Sequence, residues 1–503
     1  MSQPYRIVVV GGGTAGWITA SVLARYLAPA RFAVTLVESE EIGTVGVGEA
    51  TIPQIQLLNA ALGIDEYAMM RATQATYKLG IEFVGWGTPD SRYIHAFGPT
   101  GRQLGQVPFQ HFWLRSRALG NNTPLDAYCL NAAAAYAGRF ARSDQVKSPT
   151  LGGLVHAFHL DASLYARYLR GYAEGRGVIR IEGRIMGAER DGETGDVAGL
   201  VMADGSRIGG DLFIDCSGFR SLLLGETLGT GFESWAHWLP CDRALAVPCA
   251  SAPQLEPYTR STARAAGWQW RIPLQHRIGN GLVYSSAHLS DEAAADLLLA
   301  HLDGAALADP RPIRFVTGRR RAFWAHNVVG TGLAAGFMEP LESTSIHLVQ
   351  SAAERLIRFL PSGAIDPADV AAFNAQTTFE WERVRDFLIL HYHVNQRPEP
   401  FWRDCAAMAV PDTLREKIDL FSANGRITRF NEELFSEPGW LQVMAGQGLN
   451  PRGWHPLADD PSEAELGEVL GLMRRAVDKL VADMPDHAAW ISRHCAAAPS
   501  ETY

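Results

Sequence analysis

Tyr5-Arg6-Ile7-Val8-Val9-Val10-Gly11-Gly12-Gly13-Thr14-Ala15-Gly16 opens the chain and decides its fold class. An apolar run of strand length enters a G-x-G-x-x-G loop, and Thr14 to Leu27 follow with the spacing of a helix. Gly11, Gly13 and Gly16 let the backbone lie close to a pyrophosphate, and Thr14 and Ala15 supply amides at the positive end of the helix dipole. A second strand, Ala33 to Val37, leads to Glu38, 22 residues after Gly16. An acidic side chain there suits a ribose 2'-hydroxyl and opposes a 2'-phosphate. The segment predicts the start of a doubly wound, Rossmann-like α/β sheet that binds FAD or NAD(P); the loop alone does not separate the two.

The chain has 503 residues, enough for a large core and more than one module. With 45 Lys+Arg against 54 Asp+Glu and no basic run, a nucleic-acid partner has little electrostatic support. A strand almost at the start leaves no room for a signal peptide, and no apolar stretch reaches transmembrane length. A soluble, cytoplasmic protein with no membrane partner is expected. The six cysteines are dispersed without a Cys-x-x-Cys pair, which predicts free, mostly buried thiols. His391 and His393 point to different faces of the helical stretch Trp381 to Val394, so no metal site is expected.

Farther along, Asp65 to Lys78 reads as a helix stopped by Gly80, Ile81 to Trp86 as a strand, and Phe158 to Glu174 as a helix. Ile179 to Ile185 and Val197 to Met202 alternate around a turn at Asp204-Gly205 and predict a small antiparallel piece. Asp211 to Cys216 is a strand entering Ser217-Gly218-Phe219-Arg220. Residues Ala244 to Phe315 suggest an added sheet covering one face of a cofactor. Ile346 to Leu360 is an amphipathic helix. The organisation expected is a module over 1–378 with an inserted antiparallel sheet, followed by a mostly helical region over 379–503 capping the substrate site.

Five further motifs carry chemistry. Gly267-Trp268-Gln269-Trp270-Arg271-Ile272-Pro273 puts two indoles on one face of a strand that Pro273 ends, a pattern that core packing alone explains. Lys78 stands in Thr76-Tyr77-Lys78-Leu79-Gly80, where a lysine closing a helix is the plain reading. Glu342 precedes a helix in Glu339-Pro340-Leu341-Glu342-Ser343-Thr344-Ser345. Tyr93-Ile94-His95-Ala96-Phe97 alternates rings along a strand, and Val45-Gly46-Val47-Gly48-Glu49-Ala50-Thr51 is a glycine-rich loop. Together with the opening fingerprint, these motifs resemble the flavin-dependent tryptophan halogenase family along nearly the whole chain. They are nearest in motif to members that brominate free indole.

The resemblance implies a FAD-binding fold of the flavin monooxygenase type, FAD used as FADH2, oxygen, and a halide, bromide or chloride. The cofactor contacts it implies beyond the first loop are Val47, Gly48 and Ala50 in a strap against the isoalloxazine ring, with Leu333 in Asn327-Val328-Val329-Gly330-Thr331-Gly332-Leu333. That segment lacks the aspartate usual in aromatic hydroxylases. Lys78 and Glu342 are implied as the catalytic pair. Lys78 holds hypohalous acid by hydrogen bond or captures it as an N-haloamine; Glu342 polarises the halogen donor or accepts the ring proton. Thr344 and Ser345 open a helix whose dipole suits a halide. Trp268 and Trp270 separate flavin from substrate; His95, Phe97 and Trp440 sandwich the substrate ring, with Trp454 as the fallback for Trp440.

Two departures bear on the substrate. Tryptophan-specific members usually have glycine where Ser345 stands, and they hold the amino acid with a tyrosine pair and a glutamate in the C-terminal region. No tyrosine lies between Asn424 and Gly448, and Glu432, Glu433 and Glu437 are the available carboxylates. The expectation is an indole halogenated at C3, with bromide preferred. Lack of a second nucleotide fingerprint implies a separate NAD(P)H-dependent flavin reductase as the FADH2 source, and a homodimer is the default association. The rival readings are an NAD(P)H-dependent aromatic monooxygenase and a non-catalytic flavin-binding protein.

Overall fold

A computed structural model describes residues 3–41, 48–146, 151–251, 254–361 and 363–499. The chain divides into two compact units, each built from three stretches: 1–74, 160–242 and 314–382 form the first, and 75–159, 243–313 and 383–503 the second.

The first unit is organised by a six-stranded sheet. Its order is Trp324–Ala325, Val328–Gly330, Leu212–Asp215, Tyr5–Val10, Phe32–Glu38 and Ile179–Glu182. Tyr5–Val10 lies parallel to both of its neighbours, and only the Trp324–Ala325 edge runs antiparallel. Ile7, Val8, Val9 and Val10 are all buried, the unbroken apolar run of a strand covered on both faces. The helix Thr14–Tyr26 packs against the helices Ala162–Glu174 and Ser345–Arg358. A small antiparallel sheet of Ile185–Arg190, Val197–Met202 and Arg207–Gly209 is appended. Asn327 ties it to the main sheet, exchanging hydrogen bonds of 2.8 and 2.9 Å with the backbone of Val197.

The second unit carries a seven-stranded sheet ordered Arg311–Arg314, Arg243–Cys249, Ile278–Tyr284, Gly267–Pro273, Thr259–Arg264, Gly80–Val84 and Arg92–Ala96. Thr259–Arg264, Gly267–Pro273 and Ile278–Tyr284 form an antiparallel meander, Arg243–Cys249 adds antiparallel to Ile278–Tyr284, and Thr259–Arg264 pairs in parallel with Gly80–Val84. The helices Pro400–Ala407, Asp412–Asn424, Glu437–Gly446, Glu463–Ala482 and His487–His494 complete the unit. The helix Glu463–Ala482 starts with a capping box between Ser462 and Glu465. The mixed α/β class, the parallel sheet and the helical C-terminal region are as expected. All six cysteines are free and buried. Among the described residues no helix is long and apolar enough to cross a membrane, and no cluster of three His, Cys, Asp or Glu could hold a metal.

Three local expectations are corrected. The helix expected over Asp65 to Lys78 ends at Ala72: Asp65 caps it by accepting from Ala68 N at 2.7 Å, and the Thr73 hydroxyl folds back on the Met69 carbonyl at 2.8 Å. Gln74 then takes φ +54°, and Thr76–Lys78 becomes a strand paired antiparallel with the segment that contains Phe158 and His159. Long-range pairing has overridden a helical pattern that was local only. The helix expected from Phe158 starts at Ala162, because Asp161 accepts from Ser163 N and Leu164 N at 3.0 and 3.1 Å. Ile179–Glu182 extends the parallel sheet and takes no part in the antiparallel piece.

Candidate active site

The nucleotide loop has the close-packed, open backbone that a dinucleotide site requires. A Cβ on Gly11 would lie 2.4 Å from the Cys216 carbonyl, and one on Gly16 would lie 1.9 Å from the Gly11 carbonyl, so both glycines are required by close packing of strand and helix. Gly13 has nothing within 4 Å of its Cβ position among the described residues. It is also the N-cap of the helix and offers no side-chain cap. An open backbone at an uncapped helix start is what a pyrophosphate needs. Glu38 ends the second strand; its Oε2 lies over Gly12, while its Oε1 engages Arg180. Gly332, at φ +60°, brings the turn Gly332–Ala334, with half-buried Leu333, onto Ala15. These residues would hold FAD at the carboxyl end of the sheet. Of the strap, Val47 lies outside the described residues; Gly48 and Ala50 are buried in a short strand on either side of Glu49. Desolvation raises the Glu49 carboxyl to about 7, a perturbation that nothing in its sequence setting signals.

Asp215 is a buried anchor that the sequence did not single out. Its Oδ1 accepts from the Ser217 amide and hydroxyl at 3.1 and 2.5 Å, and its Oδ2 accepts from Leu223 N and Leu224 N at 2.8 and 2.9 Å. It therefore fixes the turn after its strand and has no oxygen left over for a ligand.

The glutamate motif folds as a tight corner in the first unit. Pro340–Glu342 forms a 3-10 turn, Ser343 adopts the left-handed region at φ +59°, and Thr344 occupies the N-cap position of the helix Ser345–Arg358 without a side-chain capping bond. A non-glycine residue there stores roughly 1 kcal/mol of strain or more. The corner sets Glu342 and Thr344, each 1% exposed, on the two sides of Ser343. Among the described residues no side chain caps this helix, whose first intrahelical bond runs from Leu348 N to the Thr344 carbonyl. The first-turn amides, with the dipole behind them, form a local setting suited to an anion.

Lys78 belongs to the second unit. It is fully buried, and its Nζ lies 5.4 Å from the centre of the Phe97 ring. The two are tied through Leu79, whose carbonyl accepts from Phe97 N at 2.9 Å. His95 stands two residues before Phe97, in the strand Arg92–Ala96. It packs 5.4 Å from Phe387 and 6.1 Å from Phe435, and Gly439 is required where the helix Glu437–Gly446 meets it. Phe387 stacks on Phe435 at 3.8 Å and meets Trp440 edge-on at 4.8 Å. His95 and Trp440 thus share one aromatic cluster. Trp454 sits elsewhere, beside Phe109, Phe112 and Trp113, with its Nε1 bonded to Asp459. Trp268 and Trp270 lie 6.1 Å apart; Trp268 packs on Trp86, and Trp270 lies across Gly281 on the next strand.

Beneath Trp440 lies a buried ion pair without any sequence signature. Lys417 Nζ is 3.0 Å from Glu433 Oε2, 2.7 Å from the Thr428 carbonyl and 4.9 Å from the Trp440 ring centre. Glu432 and Glu437 are exposed.

The strand carrying Lys78 is also held by a buried histidine. His487 Nδ1–H donates to the Leu255 carbonyl at 2.7 Å, and Nε2 accepts from the Tyr77 amide at 3.2 Å. Burial lowers its pKa to about 4, against about 6.5 in an unfolded chain. Between these values the unfolded chain binds more protons, so stability falls as the pH drops through this window, by about 3 kcal/mol for the full shift. Urea unfolding stepped from pH 7 to pH 4.5 should show the loss, and His487→Gln should flatten it. An unchanged slope in that variant would contradict this origin.

The parallel sheet, its glycine cradle and the acidic strand end define a dinucleotide-binding α/β protein. A family model described as tryptophan halogenase matches residues 6–463, and the chain belongs to that family. It is thus a flavin-dependent halogenase, an oxidoreductase. Tryptophan 6-halogenase SttH of Streptomyces toxytricini is 37% identical over 445 residues, covering 83% of this chain and 84% of that protein. The solved structure of Xcc4156, a flavin-dependent halogenase from Xanthomonas campestris, is 49% identical with a TM-score of 0.95, covering 99% of this chain and 100% of that one. BrvH, a flavin-dependent halogenase from Brevundimonas sp. BAL3, is 47% identical with a TM-score of 0.93, covering 98% and 99% of the two chains.

Proposed function

We propose that the enzyme brominates an indole at C3, using hypohalous acid held at Lys78 and reduced flavin delivered by a separate NAD(P)H-dependent reductase. The observation that carries this reading is the Lys78 side chain, fully buried with its Nζ against the ring of Phe97. Bound FAD, once reduced, supplies with oxygen and halide the hypohalous acid that the side chains then handle. Thr344 and Ser345 hold the halide at the helix start. The Lys78 ammonium donates a hydrogen bond to the oxygen of the hypohalous acid and draws electrons from the O–X bond. Indole C3 attacks the halogen, the O–X bond breaks, and the departing oxygen takes a proton from Lys78 and leaves as water. Glu342 accepts the C3 proton, restoring aromaticity, and solvent returns that proton to Lys78. Trp268 and Trp270 keep the ring from the flavin; His95, Phe97 and Trp440 bind its faces.

The substrate assignment is supported by charge. An amino-acid substrate needs a carboxylate for its ammonium, yet Glu433 is already paired with Lys417, and Glu432 and Glu437 face solvent. The second oxygen of Glu433, Oε1, is buried without a hydrogen-bond partner among the described residues. A neutral ring N–H suits it better than a second ammonium, which would be repelled by Lys417. Bromide and chloride should each be offered with indole and with free tryptophan, and the products compared by mass spectrometry. Bromination of indole should dominate. Chlorination of free tryptophan at a benzo-ring carbon as the best reaction would overturn the substrate reading, and SttH, named for tryptophan, makes it the rival to exclude.

A further inference from the structure

We infer that His159 and Thr76 form a positioning device that fixes the Lys78 strand against the strand of Trp268 and Trp270; the inference rests on the reading of Lys78 given above. Thr76 Oγ1 lies 2.7 Å from the Pro273 carbonyl and 2.9 Å from His159 Nδ1. A carbonyl only accepts, so the single hydroxyl proton of Thr76 goes to Pro273, and the hydroxyl oxygen must accept from Nδ1–H of His159. The other ring nitrogen, Nε2, lies 2.9 Å from Thr259 Oγ1 and accepts from that hydroxyl. Burial, with the Lys78 ammonium as the second cause, keeps the imidazole neutral, which this donor-acceptor arrangement requires. His159, Thr76 and Thr259 are all buried.

The four residues thus make one chain of hydrogen bonds, Thr259 to His159 to Thr76 to Pro273, in which every donor and acceptor role is set. Its geometry gives it a purpose beyond filling the core. Thr76–Lys78 is only three residues long and follows the strained Gln74, so its backbone ladder with the His159 strand is short. Pro273 ends the strand on which Trp268 and Trp270 stand. The chain of side-chain bonds links that strand end to a residue two positions from Lys78, and so sets where Nζ stands relative to the two indoles. Misplacement of a reacting group by about 1 Å costs on the order of a hundredfold in rate.

The test compares Thr76→Val, His159→Leu and His159→Asn in the full-length protein with FAD, a flavin reductase, NADH, bromide and indole. A soluble diketone that reacts with free hypobromous acid is included as a trap. Thr76→Val and His159→Leu should form brominated indole at least about tenfold less per NADH consumed, with more bromine on the trap, unchanged KM for indole and retained FAD binding. His159→Asn keeps a donor where Nδ1 stands and should recover most of the yield. The double variant Thr76→Val/His159→Leu should be no worse than either single one, because both break the same link. Wild-type partition between indole and trap in Thr76→Val would overturn the inference, as would parallel loss of indole product, trap product and FAD binding, which marks a folding defect. Lys78→Met run alongside separates the two claims: full activity there would remove the lysine reading and this inference with it, whereas an inactive Lys78→Met with wild-type-like Thr76→Val would remove this inference alone.

Discussion

Lys78→Met is expected to lower bromination of indole by about a hundredfold to ten-thousandfold, the range by which a positioned acid-base group accelerates a reaction. Methionine nearly preserves the length and volume of the side chain, so the fully buried site is not left with a cavity. What is removed is Nζ, the atom that donates to hypohalous oxygen in the mechanism proposed here. FAD affinity should not change, because the glycines that shape its cradle belong to a different part of the chain. A fluorescence titration with FAD beside the product assay separates the two effects. Retention of more than about a tenth of wild-type product, well above the range expected for such a group, would show that Lys78 is not the holding group.

Glu342→Gln is expected to lower the same rate by about two to three powers of ten. Glutamine keeps the shape and removes the base. The substitution also removes an anion within one turn of the helix starting at Ser345, so an FAD titration of the variant is run beside the product assay. Loss of product with FAD binding retained assigns the effect to the chemistry. Deprotonation at C3 should become rate-limiting in the variant, so indole deuterated at C3 should react more slowly with Glu342→Gln than unlabelled indole, and the difference should be smaller for wild type. A variant with full activity and no isotope effect would assign the proton to another acceptor.

The cofactor end of the molecule was legible because its information is local. Six consecutive positions set the glycine loop, the strand before it and the helix after it are each continuous in sequence, and Glu38 follows at a fixed interval. Lys78 was legible as part of a motif but not as structure. The pattern from Asp65 onward is helical, and only pairing with a strand some 80 residues away turns Thr76–Lys78 into a strand. The supports of that strand were out of reach for the same reason: His159, Thr259, Pro273 and His487 come from four distant places in the chain. On the substrate side, alternation exposed His95 and Phe97, whereas Phe387, from a helix, and Phe435, from a loop, meet His95 only through long-range packing. The three glutamates near Trp440 look equivalent in sequence. Burial and the ion pair with Lys417 tell Glu433 apart from the other two.

The most direct test of the central claim gives the wild-type protein FAD, a flavin reductase, NADH, oxygen, bromide and indole, with and without an excess of free methionine to scavenge diffusing hypobromous acid. The account predicts a bromine isotope doublet on indole that survives the scavenger and is absent from Lys78→Met. A doublet erased by methionine, or one of equal size from Lys78→Met, would mean that bromination occurs in free solution and would contradict the role given to the buried lysine.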